Sequence, residues 1–237
     1  MAEPAPVIVQ PGPGQRLQVY GIERQNCIVG VAGRKGSGKS TVARKILECI
    51  PRLFLFDSMG EHAWIPERFD DDQEAIMFLM ETPYREQFMG SLVPGADDFE
   101  AEFSEICVEV YAAGNMCFAV EEVPMLASAG YTPKKFNKVI RLGRHRNLSL
   151  LYTAQRLSEC PRALTSATDI FVLFCHTEPR DLDAIADRCG GEIARKVQGL
   201  GDHGFLVFDV LKRQERPITG EWYRSLIQTS GPRVNPL

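Results

Sequence analysis

The sequence predicts an α/β fold in which helices flank a mainly parallel central sheet and a β-hairpin closes the domain. Apolar strand-like runs alternate with helix-like stretches along the 237 residues, as is typical of a parallel sheet with crossover helices. A glycine-rich loop also joins the first clear strand to the first helix. We expect one domain from 21 to 220, preceded by a proline-rich lead-in (1–20) and followed by a tail (221–237).

The individual elements follow from the hydrophobic pattern. Strands are expected at short apolar runs, namely 27–32, 53–57, 116–120, 148–153 and 170–175, with 204–210 and 214–219 as the hairpin. Helices are expected at amphipathic stretches, namely 40–50, 71–81, 97–113, 133–145 and 178–189. Pro51 stops the first of these helices, and Gly190-Gly191 caps the last. Residues 85–93 form an extended stretch that the pattern leaves ambiguous.

Composition excludes several classes of protein. The formal net charge of -4 argues against a uniformly basic nucleic-acid coat. None of the seven cysteines has C-x-x-C spacing, which favours buried free thiols in a reducing compartment over zinc sites or disulfides. No apolar run reaches the roughly 18 residues that a transmembrane segment needs. We therefore expect a cytoplasmic protein.

The glycine-rich loop has the spacing of a phosphate-binding loop, G-x-x-x-x-G-K-[ST]. Its residues are Gly33, Arg34, Lys35, Gly36, Ser37, Gly38, Lys39 and Ser40, followed by Thr41. The glycines allow a tight turn whose N–H groups point at a triphosphate. Lys39 would reach the β- and γ-phosphates, and the Ser40 hydroxyl would ligate Mg²⁺. The sequence therefore predicts a site for ATP and Mg²⁺.

Two acids follow the predicted strand 116–120. Glu121 would hold the hydration shell of Mg²⁺, and Glu122 would orient and polarise the attacking water. The usual first acid of this pattern is Asp, so the longer Glu121 departs from it. The alternative interpretation is a strand that ends in a solvated acidic pair.

A basic segment and a polar strand end complete the candidate chemistry. Gln155 follows the strand 148–153, where its amide could sense the γ-phosphate or hold the water. Arg144 precedes that strand on the far side, better placed to reach a neighbouring subunit's nucleotide. An ordinary polar strand end and a solvated helix terminus are the alternatives for these two residues.

Two segments resemble the DNA-translocating FtsK–HerA superfamily of motor ATPases. In that group an arginine precedes a strand that ends in a T-Q or A-T-Q-R-like sequence, as do Arg144 and Thr153-Ala154-Gln155-Arg156 here. The stretch from Leu55 to His62 resembles the group's second-strand D-x-x-G-E segment. The resemblance covers about residues 28–174. Because the chain has little beyond the motor core, it is most similar to the small genome-packaging ATPases of tailless icosahedral viruses, or to the motor core of a mobile element.

The resemblance implies a RecA-like P-loop fold, ATP hydrolysis with Mg²⁺, and assembly into a homo-oligomeric ring, a hexamer or a pentamer. It also implies double-stranded DNA as a partner. In a packaging member, a capsid or membrane vertex protein would be a further partner, and the protein would be associated with the virion. Arg144 would then complete the site of the next subunit.

A local basic stripe could contact DNA in this acidic chain. Six lysines and arginines fall between Thr132 and Asn147 with no acid among them, and one helix face carries Lys134, Lys138, Arg141 and His145. Such a stripe could follow a phosphate backbone without reading its sequence. A solvated face with pairing at a subunit interface is the alternative. Ala127 to Tyr131 is a candidate pore loop.

Two other functional classes remain open from the sequence. A monomeric small-molecule kinase would use the same phosphate loop and an arginine-rich lid, for which Arg180, Arg188 and Arg195 could serve. A nucleotide-gated switch or assembly protein would bind ATP without turnover.

Overall fold

The structure is a computed structural model that describes residues 16–20, 22–95 and 99–218. Residues 1–15 of the predicted lead-in and the whole predicted tail (221–237) lie outside the described residues. Residues 16–20 begin with a strand that pairs antiparallel with the next one along the chain. This two-stranded ribbon packs against the domain through buried Leu17 and Val19.

Eleven strands and seven α-helices lie in the described residues. The strands are β1 Arg16–Val19, β2 Ile22–Gln25, β3 Ile28–Ala32, β4 Arg52–Phe56, β5 Glu67–Phe69, β6 Phe88–Leu92, β7 Cys117–Val120, β8 Ser149–Ala154, β9 Ile170–Phe174, β10 Phe205–Asp209 and β11 Gln214–Ile218. The helices are α1 Lys39–Leu47, α2 Asp72–Glu81, α3 Phe99–Ala113, α4 Lys134–Leu142, α5 Arg162–Ala167, α6 Pro179–Cys189 and α7 Gly191–Gln198. Short 3₁₀ turns lie at Thr82–Tyr84, Val123–Met125, Gly143–Arg146 and Leu157–Glu159.

The central sheet has nine strands in the order β11-β10-β9-β3-β8-β7-β4-β6-β5. Every pair from β9 to β5 is parallel, whereas β10 pairs antiparallel with both β9 and β11. The predicted fold class, a mainly parallel sheet with a C-terminal hairpin, is confirmed. In this order β3, β8, β7 and β4, which are far apart along the chain, lie side by side.

Both faces of the sheet are buried, which explains why its strands are continuous apolar runs. Along β4, Leu53 and Leu55 join the core beneath α1, whereas Phe54 and Phe56 join the core beneath the remaining helices. Aromatic rings fill the second core, where Phe103 packs against Phe56 with ring centroids 5.0 Å apart. Each fully buried side chain of this size contributes about 1.5–3 kcal/mol. The sheet is therefore a rigid base for the loops at its edges.

The differences from the predicted elements arise at the ends of helices and in short elements. The predicted helix 133–145 ends at Leu142 and continues as a 3₁₀ turn, which Asn147 closes with a left-handed φ of 54°. The ambiguous stretch 85–93 contains β6, which pairs with the central β4. The sequence did not predict β1, which lies in the expected lead-in, nor did it predict β2, β5, α5 or α7. These elements have three to eight residues each, too few for their periodicity to separate them from loops.

Candidate nucleotide site

The candidate site lies at the carboxyl-terminal edge of the sheet, where β3, β8, β7 and β4 end side by side. Loops that follow these strands surround a cavity of about 460 Å³. Its lining residues are Lys35, Gly36, Gly38, Lys39, Ser40, Thr41, Met59, Glu61, Glu121, Glu122, Thr153 and Gln155. The fold thus brings the predicted phosphate loop, both predicted acids and Gln155 to one cavity.

The glycine-rich loop is held close to the sheet. The Gly33 N–H donates to the Ala154 carbonyl over 3.1 Å, which fixes the start of the loop to the end of β8. Gly36 and Gly38 have φ values of 76° and 104°, in the region that favours glycine. Gly38 directly precedes α1, so the loop presents its backbone at a helix N-terminus. This arrangement suits a phosphate anion.

Lys39 is held at the base of the loop rather than in solvent. Its side chain is buried, and Nζ donates to the Arg34 carbonyl over 3.4 Å. Burial lowers the pKa of Lys39, against the opposing effect of the negative charges of Glu122, Glu121 and Glu61. An incoming polyphosphate would give this buried ammonium a strong anionic partner.

The predicted metal-side residues are in contact. Ser40 Oγ donates to Glu121 Oε1 over 3.4 Å. Glu121 is almost fully buried, and its Oε2 has no hydrogen-bond partner within the described part of the chain. Burial raises the pKa of Glu121, and the nearby Asp57 raises it further, while His62 opposes both. A buried carboxylate oxygen without a donor beside a serine hydroxyl fits a hydrated divalent cation such as Mg²⁺.

A second group of polar residues supports Glu121 from the β4 loop. Asp57 accepts hydrogen bonds from the Glu61 N–H (3.1 Å) and the His62 N–H (3.0 Å), so it shapes the loop. His62 Nε2 lies 3.1 Å from Glu121 Oε1, and the Trp64 indole N–H donates to His62 Nδ1 over 3.1 Å. Asp57, His62 and Glu121 each offer one potential ligand atom, and these three atoms lie within 4.8 Å of one another. The segment from Leu55 to His62 was marked in the sequence, but no role was predicted for His62 or for Trp64.

Glu122 has an unusual backbone and a fixed carboxylate. Its φ of 48° and ψ of 59° place it in the left-handed region, which is uncommon outside glycine and concentrates at functional sites. Its N–H donates to Thr153 Oγ1 over 2.9 Å, and its Oε1 accepts the Gln155 N–H over 2.9 Å. Gln155 therefore contacts Glu122 through its backbone, and its own side chain is exposed. Any shift of the β8 end would move the Glu122 carboxylate.

Arg144 lies at the opposite edge of the sheet, in the 3₁₀ turn before β8. It lines a separate cavity of about 420 Å³ that includes Asn26 and Asp169. Within the described residues its guanidinium makes no hydrogen bond or ion pair, and the residue is exposed. The structure therefore does not bring Arg144 to the nucleotide cavity of its own chain.

The outer side of the phosphate loop borders a second cavity of about 350 Å³. It shares Lys35 and Gly36 with the first cavity and continues to the loop 200–204 before β10. His203 belongs to that loop, and its Nδ1 lies 3.1 Å from the Ser37 carbonyl. Nothing in the sequence marked His203, because its neighbours along the chain carry no motif.

The predicted basic stripe and pore loop are both at the surface. Lys134, Lys138, Arg141 and His145 are exposed, while Phe136 and Val139 bury the other face of α4. Ser128 and Tyr131 form an isolated antiparallel bridge that closes the 127–131 loop. Arg146 has another role, because its guanidinium donates to the Tyr111 carbonyl near the end of α3 over 3.1 Å.

Among the described residues, no helix combines the length and apolar character needed to cross a bilayer.

Solved structures with a similar fold include a viral protein and a bacterial one. The chain is similar to the genome packaging NTPase B204 from Sulfolobus turreted icosahedral virus 2. Its sulfate complex gives a TM-score of 0.67 at 19% identity, covering 82% of this chain and 96% of B204. VirB4 of Thermoanaerobacter pseudethanolicus gives a TM-score of 0.58 at 11% identity, covering 81% of this chain and 88% of VirB4.

No family model and no curated protein sequence matches the chain. The structural likeness therefore identifies the fold. The chain has the fold of a P-loop NTPase, with a mainly parallel central sheet and the glycine-rich loop at its carboxyl-terminal edge.

Proposed function

We propose that the chain is a Mg²⁺-dependent ATPase that couples ATP hydrolysis to translocation of double-stranded DNA as a homo-oligomeric ring. The observation that carries the proposal is the single cavity in which the phosphate loop faces Glu121 and Glu122. The likeness of the fold to a protein described as a genome packaging NTPase supports the motor interpretation. Packaging of a viral or prophage genome is the role we favour, with conjugation or another mobile element as the alternative.

The chain's own residues suit hydrolysis of the γ-phosphate. Lys39 and the loop N–H groups would hold the phosphates, and Lys39 would offset charge in the transition state. Glu122 would orient a water molecule and accept its proton as the oxygen attacks the γ-phosphorus and the bond to ADP breaks. The hydrogen bond from the Gln155 N–H holds Glu122 Oε1, so Gln155 would couple the end of β8 to the water.

Ser40 and Glu121 are the residues that would hold Mg²⁺ beside the phosphates. The orphaned Oε2 of Glu121 supports this role, since it is buried and lacks a donor among the described residues. When bound, Mg²⁺ would supply positive charge that offsets the charge developing on the phosphates. The cavity beyond the phosphate loop, lined in part by His203, offers space for the nucleoside.

The remote position of Arg144 supports a shared site. An exposed arginine without a partner among the described residues can enter the cavity of a neighbour, as arginine fingers do. The exposed stripe on α4 would contact DNA phosphates, and Tyr131 would face the pore. In a packaging motor, a capsid or vertex protein would anchor the ring.

The kinase alternative has weaker support. Arg180 and Arg188 line a cavity of about 250 Å³ that shares no residue with the nucleotide cavity. An acceptor bound there would lie outside the nucleotide cavity. A switch without turnover remains an outcome of the experiment below.

ATP turnover of the purified chain, with and without duplex DNA, tests the proposal. Glu122→Gln should lower kcat by about 10²–10⁴-fold, because it removes the general base. Lys39→Ala should lower kcat/KM by at least about 10²-fold, because it removes a donor to the transferred group. Glu105→Gln and Lys212→Ala change exposed residues of the same types and serve as controls.

Turnover that persists in both site variants would refute the site assignment, and tight ATP binding without phosphate release would favour the switch. Phosphate transfer to an acceptor other than water would favour the kinase. Mass determination in solution, with AMPPCP and with or without duplex DNA, tests the ring.

A further inference from the structure

His62 and Trp64 connect the nucleotide site to a neighbouring groove. The groove, of about 380 Å³, is lined by Ser40, Thr41, Arg44, Lys45, Glu61, His62 and Trp64. His62 is buried, whereas Trp64 is only partly so, with the Arg44 guanidinium 5.5 Å from its ring centroid. A continuous chain of hydrogen bonds therefore runs from a partly exposed indole to the buried Glu121.

The direction of these hydrogen bonds follows from the chemistry of the donors. An indole N–H can only donate, so His62 Nδ1 must accept from Trp64. The proton of a neutral imidazole then resides on Nε2, which faces Glu121 Oε1 at 3.1 Å. Trp64 thus selects the tautomer in which His62 donates to the carboxylate.

Glu121 needs such a partner because of its length and burial. A glutamate has one more rotatable bond than an aspartate, so its carboxylate is less well positioned by the backbone alone. Its Oε1 is in hydrogen-bond contact with the Ser40 hydroxyl and with His62 Nε2, whereas Oε2 has no partner in the described residues. If Ser40 turns its hydroxyl to a cation, His62 still holds Oε1.

We infer that His62 is a positioning residue that orients Glu121 toward the cation, and that Trp64 fixes the imidazole tautomer. The inference rests on the proposed function in one respect, which is that Glu121 is the carboxylate beside Mg²⁺. Partners that orient metal-site ligands in this way typically change metal affinity or activity by about 10- to 100-fold when removed. An aspartate at position 121, the usual residue of this pattern, would have a shorter side chain and would not reach as far toward His62. The longer glutamate can therefore contact the imidazole.

Fluorescence of Trp64 gives a test that does not depend on turnover. The chain has two tryptophans, so Trp222→Phe leaves Trp64 as the only one. In that background, Mg²⁺ is titrated at a fixed AMPPCP concentration, and the half-saturating Mg²⁺ concentration is read from Trp64 emission. His62→Leu should raise that concentration about 10- to 100-fold. His62→Gln retains an N–H near the former Nε2 and should stay close to the parent value.

Two further variants separate positioning from a general effect on folding. His62→Asn keeps a polar side chain but is too short to reach Glu121, so it should behave like His62→Leu. In a Glu121→Gln background, His62→Leu should add little, because its target is already altered. Thermal unfolding without ligand checks that each variant is folded, and calorimetric titration of Mg²⁺ with AMPPCP replaces fluorescence for Trp64→Phe, which should also bind Mg²⁺ more weakly.

The outcomes distinguish this inference from the proposed function. If folded His62→Leu and His62→Asn both keep the parent Mg²⁺ dependence, the positioning role is wrong even where ATP turnover stands. If the parent protein binds Mg²⁺ and AMPPCP but never hydrolyses ATP, the ATPase proposal fails. The shift in His62→Leu would still support the hydrogen-bond chain in that case.

Discussion

Arg144, at one edge of the central sheet, is in the opposite state to Lys39 and Glu121 at the other edge. At the carboxyl-terminal edge, Lys39 and Glu121 are buried and bonded to neighbours within the chain. At the amino-terminal edge, Arg144 is exposed and unpaired among the described residues. In the proposed function, the first edge would bind the nucleotide, and Arg144 on the second edge would supply a further cation. In a ring, the second edge of one subunit can face the first edge of the next.

A second arginine at the amino-terminal edge, Arg24, is paired, unlike Arg144. The Arg24 guanidinium donates to both carboxylate oxygens of Asp209, over 2.6 and 2.7 Å, and Asp209 is 1% exposed. Arg24 therefore holds β2 against β10, whereas the Arg144 guanidinium makes no such bond within the described part of the chain. We expect loss of Arg24 to affect stability and loss of Arg144 to affect rate.

Replacement of Arg144 should give the largest effect. Arg144→Ala should lower kcat for ATP hydrolysis by about 10³–10⁵-fold, because a cation supplied in trans would be missing from the transition state. Steady-state phosphate release measures this loss, and the unfolding temperature should stay at the parent value. Mixing Arg144→Ala with Glu122→Gln should restore part of the activity, since some interfaces regain both residues. Failure of the mixture to recover any activity would contradict a shared site.

Replacement of Arg24 should act on folding instead. Arg24→Ala leaves the buried Asp209 carboxylate without its guanidinium, which should lower the free energy of unfolding by about 3–5 kcal/mol. Urea denaturation followed by circular dichroism measures the change. Glu81→Ala removes one partner of the exposed Arg85–Glu81 pair and should have little effect. Equal losses in the two variants would show that the Arg24–Asp209 pair is not special.

Replacement of Gly33 tests the close packing at the carboxyl-terminal edge. A Cβ there would lie 2.5 Å from Phe174 Cβ and 2.8 Å from Ser37 Oγ. Gly33→Ala should therefore lower the free energy of unfolding by about 1–3 kcal/mol and weaken AMPPCP binding. Gly191→Ala is the control, because a Cβ there meets nothing within 4 Å. A Gly33→Ala protein with parent stability would mean that the loop is not tightly packed on the sheet.

Sequence reasoning was most successful where one motif determines local geometry. The loop from Gly33 to Ser40 could be predicted because glycine spacing, Lys39 and the flanking strand and helix are all local in sequence. Glu121 and Glu122 could be placed near it because both follow a parallel strand, and such strands end at one edge. The position of Gln155 beside the strand that ends at Glu122 was also predicted, and β8 does pair with β7. The full strand order, with β3 on the other side of β8, came only from the structure.

Contacts between distant loops were the part that sequence could not supply. His62 reaches Glu121 across 59 positions only because β4 and β7 are neighbours in the sheet. His203 meets the phosphate loop because the 200–204 loop folds back over Ser37. Neither histidine has a spacing that indicates a partner. Gln155 was predicted for its amide, yet its backbone N–H makes the contact with Glu122.

The smallest expected effect concerns the α4 stripe, and it separates DNA contact from solvated charge. Lys134→Ala should reduce the slope of log K against log salt for duplex DNA by about 0.9, because one phosphate contact is lost. The Lys138 ammonium lies 4.1 Å from the centroid of the Tyr111 ring, and this cation–π contact holds it within the chain. Lys138→Ala should therefore change the slope less than Lys134→Ala. Fluorescence anisotropy with a labelled duplex, in the presence of AMPPCP and at several salt concentrations, measures both slopes. Lys212→Ala lies off the stripe and should leave the slope unchanged, and an unchanged slope in Lys134→Ala would assign the α4 face to solvent or to the subunit interface.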